Sequence, residues 1–245
     1  MTQILGISGR KQAGKNTVAN IIHGIILKEK ELIQDWSIDS KGQLKISTSN
    51  SKGEQGWGYF WVHRQDEQFV EYAENNMWPY VKLYSFADSL KSICMNLFDI
   101  PFRSLYGTDE QKNEVQEHLL WKNIPGSKKK SGAMTAREFM QFFGTDIMRK
   151  IHQPIWVNAC INKIKKEQSE FAIIADVRFP NEAKAIEDAG GKVLRLTRKI
   201  TEDNHSSEIA LDNYPFTDII DNDKQGIDEL IVKVKELYNH LKEKS

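Results

Sequence analysis

The chain has 245 residues, enough for one sizeable α/β core with insertions or for two small domains. Its 34 Lys and Arg balance 34 Asp and Glu, so no global basic field argues for a nucleic-acid partner, and no apolar run approaches membrane-spanning length. Two cysteines, Cys94 and Cys160, stand in apolar helical patterns with neither metal-like spacing nor a disulfide framework; they read as core thiols and suit a soluble protein of the reducing cytoplasm.

The apolar run Ile4-Leu5-Gly6-Ile7 predicts a first strand, and Val18, Ile21, Ile22 and Ile25 keep the spacing of one helix face. Between them lies Gly9-Arg10-Lys11-Gln12-Ala13-Gly14-Lys15-Asn16-Thr17. Glycines let several backbone N–H groups converge on a triphosphate, and the helix N-terminus adds its unpaired N–H groups and positive dipole end. Strand, glycine loop and helix in that order are the setting of a P-loop, in which Lys15 reaches the β- and γ-phosphates. The hydroxyl residue that usually follows the lysine is replaced by Asn16, with Thr17 behind it, so Mg²⁺ is expected to be held largely through water.

From Glu29 to about Tyr80 the composition shifts to Ser, Gly, Gln, Lys and Trp. Leu44-Lys45-Ile46 and Tyr59-Phe60-Trp61-Val62 are candidate strands of a small hairpin, residues 47–58 read as a polar loop, and Trp57, Tyr59, Phe60 and Trp61 as a packed flap. Residues 80–86 predict a strand feeding a helix with Leu90, Ile93, Cys94, Leu97 and Phe98 on one face and Asp88 or Ser89 as its cap. The N-terminus of that helix is a candidate acceptor site, with Lys91 as phosphate neutraliser or as a plain surface lysine. Residues 101–131 read as a charged, loop-rich connection, and Lys128-Lys129-Lys130 as its solvated tip.

Thr135 and Glu138 form a capping-box pattern. Arg137 falls in the first turn of that helix, where a cation opposes the dipole unless an anion lies nearby, which favours a phosphate-binding role. Gly144-Thr145-Asp146 interrupts the helix with a small residue that lets a ligand approach, and Pro154 breaks the chain before a helix over 156–166. Residues 171–175 are a continuous apolar run, the mark of a strand buried on both faces in a parallel sheet, and it ends in Asp176-Val177-Arg178. Ligands of doubly wound folds sit at such carboxyl ends, so Asp176 is placed to order Mg²⁺-bound water or the acceptor, and Arg178 to bind phosphate. Pro180 suits the first position of the next helix; residues 192–197 and 217–220 predict two more strands, 203–208 a polar loop, and 227–241 a closing amphipathic helix. Strands alternating with helices give a parallel α/β sheet with right-handed crossovers.

Taken in order, Gly9 to Thr17, Phe86-Ala87-Asp88-Ser89-Leu90-Lys91, Arg137-Glu138-Phe139-Met140-Gln141-Phe142-Phe143-Gly144-Thr145-Asp146, Asp176-Val177-Arg178 with Glu182, and His205-Ser206-Ser207-Glu208 make the chain resemble the deoxynucleoside monophosphate kinases of tailed bacteriophages, within the P-loop nucleotide kinases. The stretches 29–80 and 101–131 lie outside the resemblance. It implies one P-loop kinase domain over 1–245, a three-layer fold with a parallel sheet, whose helical and loop insertions bind the acceptor and form a lid. It implies ATP as donor, held by Gly9, Gln12, Ala13, Gly14, Lys15, Asn16, Thr17 and Val18, with Asn222 near the adenine and Thr17 and Asp176 at the metal. Lys11 and Lys15 would touch the transferred or acceptor phosphate. Arg137, Asp176 and Arg178 would grip the acceptor, with Lys91 near its phosphate; Gly144, Thr145 and Trp156 would border its base or sugar, supported by Glu182. Trp156 also has a physical warrant, since an indole face offers stacking to a base, with a buried core tryptophan as the alternative. The partners implied are small nucleotides, in a host cytoplasm if the chain is phage-encoded, with a homodimer left open.

Such transfer needs alignment and charge stabilisation rather than a protein nucleophile, and His63, His118, His152, His205 and His240 form no triad. Two alternatives share the loop: a dephospho-coenzyme A or phosphomevalonate type of kinase, and an ATP-driven switch. The second lacks the extra acidic residue beside Asp176 that would activate water.

Overall fold

Strand β1 (Gln3–Gly9) is buried almost along its whole length because it has a parallel strand on either side. A computed structural model describes residues 2–49, 52–62, 64, 66–124, 131–198, 210–223 and 226–243, and divides into two units, Met1–Ser85 with Ile161–Ser245, and Phe86–Cys160.

In the first unit β1 leads into α1 (Lys15–Glu29), followed by β2 (Asp35–Ile38), β3 (Leu44–Ser49), β4 (Gln55–Tyr59), α2 (Glu67–Asn76) and β5 (Val81–Tyr84). The second unit holds α3 (Asp88–Phe98), α4 (Phe102–Tyr106), α5 (Asp109–Lys112), β6 (Val115–Leu120), a 3₁₀ turn (Trp121–Asn123), β7 (Ala133–Thr135), α6 (Ala136–Gln141), a π-helical stretch (Phe142–Met148) and α7 (Arg149–Ile151). Helix α8 (Ile155–Glu167) leads back into the first unit, which ends with β8 (Phe171–Val177), α9 (Pro180–Asp188), β9 (Lys192–Thr197), β10 (Asp218–Asp221) and α10 (Ile227–Glu243).

The first unit is built on a five-stranded parallel sheet in the order β10-β9-β1-β8-β5. The pleat sends Leu5 and Ile7 to one face, where Ile21, Ile22, Leu27, Val234 and Tyr238 complete a core of α1 and α10. Gly6 points to the opposite face, where a Cβ would lie 2.6 Å from Ile186 Cδ1 of α9. Helices therefore cover both faces, the condition for the uninterrupted apolar strand β8. The smaller antiparallel sheet β2-β3-β4 packs onto α1, where Gly24 makes room for the Trp36 ring: a Cβ there would lie 2.6 Å from Trp36 Cδ2.

The second unit has its own core of Leu90, Cys94, Ile100, Leu105, Trp121, Met134, Phe139 and Trp156. Burial pushes the Cys94 thiol up to about 11. Both cysteines are buried and free, as their apolar patterns suggest.

Several sequence expectations are corrected. The expected loop at 47–58 is partly strand: Ser47 to Ser49 continue β3, and Gln55 to Tyr59 form β4, so the second strand of the expected hairpin ends where it was expected to begin. Together with β2 and α2 this makes the 29–80 stretch sheet plus helix rather than helix and loop. The tract escaped strand detection because β4 is exposed throughout and carries Gly56 and Gly58, leaving no apolar alternation to read. The packed flap fails for Trp57, Tyr59 and Trp61, which are 57%, 61% and 69% exposed; only Phe60 leans on the core. Residues 101–124 are mostly two short helices, a strand and a 3₁₀ turn rather than loop. Neither Asp88 nor Ser89 caps α3, whose first residue is Asp88 and whose N-cap Ala87 makes no side-chain bond. Gly144 does not interrupt its helix, which continues through it as a π-turn. The Lys128-Lys129-Lys130 run lies outside the described residues.

Ile173 has no exposed surface and lies in register with Leu5 on one side and Leu83 on the other. Ile173→Ala is expected to destabilise the protein by about 3 kcal/mol and lower its calorimetric melting temperature by roughly 10 °C. A loss below about 1 kcal/mol would show that the sheet centre tolerates a cavity.

Candidate active site

The turn from β1 into α1 needs backbone conformations that side chains disfavour. Gly9 (φ +156°) and Gly14 (φ +101°) are left-handed or nearly so, and a Cβ on Gly9 would lie 2.8 Å from Leu196 O. Gln12 reaches φ +62° without being glycine. Two loop carbonyls are held from the far half of the sheet. Asn222, buried just past β10, donates Nδ2 to Ala13 O at 2.9 Å, and Arg198, just past β9, donates Nη1 to Gln12 O at 3.2 Å. In a trans peptide the N–H points opposite to the C=O, so fixing Ala13 O toward Asn222 aims the Gly14 N–H the other way.

Gly14 is the N-cap of α1, with no side-chain capping bond and no acidic residue in the first turn. The opening N–H groups of α1 therefore present the positive end of its dipole with no acidic residue of the helix's own first turn beside it. Lys15 folds its ammonium over the start of the loop, donating to Gly9 O at 2.6 Å and Arg10 O at 2.8 Å. Lys11, Gln12 and Asn16 are exposed, Thr17 is half-buried, and Ala13 and Val18 are buried in the core.

A carboxylate that sequence reading passes over ties the loop to β9. Asp212 accepts from Arg10 Nη2 at 2.6 Å and from Arg195 Nη2 at 2.5 Å, while Arg195, 9% exposed, also donates Nη1 to Ser8 Oγ at 3.2 Å. Arg10 and Asp212 stand 202 residues apart, so no local spacing signals the cluster.

Strands β5 and β8 are parallel neighbours, and Tyr84 at the end of β5 pairs with Ile174 of β8. Ser85, directly after β5, donates Oγ to Asp176 Oδ2 at 2.5 Å. Glu182, 3% exposed, accepts from Arg178 N at 2.8 Å and Phe179 N at 3.1 Å, fixing the turn that carries Arg178. Among the described residues no three His, Cys, Asp or Glu side chains gather into a metal site. Asp176 and the Ser85 hydroxyl are hard oxygen donors, the ligand type that Mg²⁺ takes together with several waters and substrate phosphates.

In the second unit the capping box forms: Thr135 Oγ1 accepts Glu138 N at 3.1 Å, and Glu138 Oε2 accepts Thr135 N at 3.0 Å. Arg137 has its anion, but a protein one, Asp109 Oδ1 at 2.7 Å from Nη2. The dipole argument for a phosphate at Arg137 is thereby answered by a side chain. Lys91, fourth residue of α3, holds its ammonium 4.1 Å from the Tyr106 ring centre. Burial first, and the Asp88 charge second, push the Tyr106 phenol up, so it stays neutral under that cation. Trp156 is 4% exposed and donates Nε1 to Gly144 O at 3.0 Å, the carbonyl that also takes the Arg149 N–H of the π-turn. The indole is thus part of the core rather than an open stacking face, and Thr145 beside it is the exposed member of the group.

The expected residues therefore divide. Gly9 to Val18, Asp176, Arg178, Glu182 and Asn222 line the carboxyl ends of the parallel strands in the first unit, and Lys91, Arg137, Gly144, Thr145 and Trp156 belong to the second. The loop 203–208 with His205-Ser206-Ser207-Glu208 lies outside the described residues.

A Cβ on Gly14 would lie 2.8 Å from Asn222 Nδ2 in a backbone conformation that already excludes most side chains. Gly14→Ala is expected to weaken ATP binding about 100-fold by titration calorimetry. A change within about threefold would mean that the loop does not cradle the nucleotide.

The family model of deoxynucleotide monophosphate kinases matches residues 3–234. The chain is 28% identical over 167 residues to a protein of Acanthamoeba polyphaga mimivirus described as a deoxynucleotide monophosphate kinase, covering 61% of this chain and 79% of that one. It is also 28% identical over 111 residues to the deoxynucleoside-5'-monophosphate kinase of Escherichia phage T5, covering 41% of this chain and 44% of the phage protein. With nearly its whole length matched by that model, the chain belongs to the deoxynucleotide monophosphate kinase family.

Proposed function

We propose that the protein transfers the γ-phosphoryl group of ATP to deoxynucleoside 5′-monophosphates, giving the diphosphates and ADP, and that residues 1–245 act as one kinase domain. The observation that carries this reading is the phosphate loop of Gly9 to Thr17 at the end of the central strand, in a chain of this family. An oxygen of the acceptor monophosphate attacks the γ-phosphorus while the bond to the β-phosphate oxygen breaks, so no residue need become phosphorylated.

The roles proposed here are those that the family resemblance implies. The N–H groups of Gly14, Lys15, Asn16 and Thr17 meet the donor phosphates, Gly9, Gln12, Ala13 and Val18 shape the loop, and Asn222 holds it. Lys15 exchanges its two carbonyl partners for phosphate oxygens, and Lys11 adds a second cation. Asp176 would order the water shell of Mg²⁺, which when bound would neutralise charge on the donor phosphates. Arg178 and Arg137 bind the acceptor phosphate, Arg137 giving up Asp109 to do so. Lys91 lies near that phosphate, and Thr145 with Gly144 borders sugar or base.

A panel of ribo- and deoxyribonucleoside monophosphates, assayed with ATP and Mg²⁺ for ADP release, tests the reaction. ADP release that rises with a deoxynucleoside monophosphate is expected; hydrolysis indifferent to every monophosphate would favour an ATP-driven switch. Lys15→Ala is expected to lower kcat by about three orders of magnitude, since one cation that strengthens its contact in the transition state supplies several kcal/mol. Arg137→Ala and Arg178→Ala should each cost roughly 2–4 kcal/mol in kcat/KM for the monophosphate while ATP affinity stays nearly constant. A selective loss of ATP binding in either variant would reverse the two sites.

A further inference from the structure

The β2-β3-β4 sheet reaches the phosphate loop. It docks along one stripe of α1, Gly24, Asn20 and Thr17, three positions on the same helix face. Trp36 of β2 lies on Gly24, and from there the β2–β3 hairpin runs toward the start of α1. Its turn is tightly built. Asp39 Oδ1 accepts from Lys41 N and Gln43 N, both at 2.9 Å, Asp39 N donates to Gln43 O at 3.0 Å, and Gly42 N donates to Asp39 O at 2.9 Å. The Gln43 amide foremost holds the Asp39 carboxyl below its usual range.

This turn presents Gly42, at φ +79°, to the second residue after Lys15. A Cβ on Gly42 would overlap Thr17 Oγ1 and lie 3.2 Å from Thr17 Cβ, while Gly42 O accepts from Asn20 Nδ2 at 2.9 Å. The Thr17 hydroxyl therefore faces the hairpin tip, and the first turn of α1 is held from outside by backbone of the 29–80 stretch.

We propose that the β2–β3 hairpin is a positioning element of the donor-phosphate site: through Gly42 on Thr17 and Asn20 it fixes the first turn of α1 that carries Lys15, Asn16 and Thr17. The inference rests on reading Gly9 to Thr17 as the ATP loop. It gives the 29–80 stretch a part in donor binding, apart from any selection of the acceptor base.

The test compares KM for ATP, KM for the monophosphate, kcat and melting temperature in Gly42→Ala, Asn20→Ala, Thr17→Ala and the double variant Gly42→Ala/Thr17→Ala, with Trp57→Ala on exposed β4 as control. Gly42→Ala is expected to raise KM for ATP about tenfold and Asn20→Ala about fourfold, with the monophosphate KM moving less than about twofold. In the double variant Gly42→Ala should add less to the ATP KM of Thr17→Ala than it adds to that of the wild type, because the overlap with the hydroxyl is gone while the strain at φ +79° and the approach to Thr17 Cβ remain. Should Gly42→Ala not fold, Asn20→Ala, which adds no atoms, decides. ATP KM values within about twofold of the wild type in the folded variants, with melting temperature alone changed, would make the hairpin a stabilising appendage and overturn the inference. A wild-type protein that does not bind ATP would instead overturn the donor-loop reading on which it rests.

Discussion

Everything at the carboxyl edge of the sheet depends on one conformational demand, that the chain leave the central strand β1 and start α1 within five residues. Gly9 and Gly14 meet it with φ values other residues avoid, and Gly9 has no room for a side chain against Leu196 O. A loop this tight turns several carbonyls inward, and unpaired they would oppose an anion. Asn222 and Arg198 take two of them, and the Lys15 ammonium covers two more. The partners come from β9, β10 and α1, so the parallel order of the sheet is itself what makes the loop electropositive on its outer side.

The parts of the fold that were legible are those where burial imposes a period. Strand β8 is apolar because it is covered on both faces, α1 and α10 because one side of each meets the sheet, and their sequences show it directly. The capping box at Thr135 and the proline at the start of α9 were legible for a different reason: each is a bond or a dihedral preference within four residues. Strand β4 had neither property. It is exposed on both sides and paired along one edge only, so its strand character comes entirely from backbone bonding to β3, which leaves no trace in side-chain pattern.

The site divides the same way. That the loop follows β1 and that Asp176 and Arg178 stand at the carboxyl end of β8 was legible from motif and strand pattern. Ser85, Arg195 and Asp212 were not, because each acts through a partner far along the chain. Arg137 shows how a sound electrostatic premise fits two answers: the cation in a helix first turn does have an anion beside it, but the short helix α5, hidden in an apparently loop-rich stretch, supplies Asp109. Trp156 shows the same for aromatics. Its polar N–H and its ring are both satisfied inside the second unit, by Gly144 O and by the surrounding apolar core.

Under the proposed function, Lys15 would meet phosphate by exchanging the carbonyls of Gly9 and Arg10, which lie 2.6 and 2.8 Å from its ammonium, for anionic oxygens. Only the part of that exchange that is stronger in the transition state than in the ground state would raise kcat, so the two carbonyls would enter the balance as much as the lysine does. Arg10 is fastened to Asp212, and Asp212 to Arg195 on β9, so the place of those carbonyls is set from the sheet.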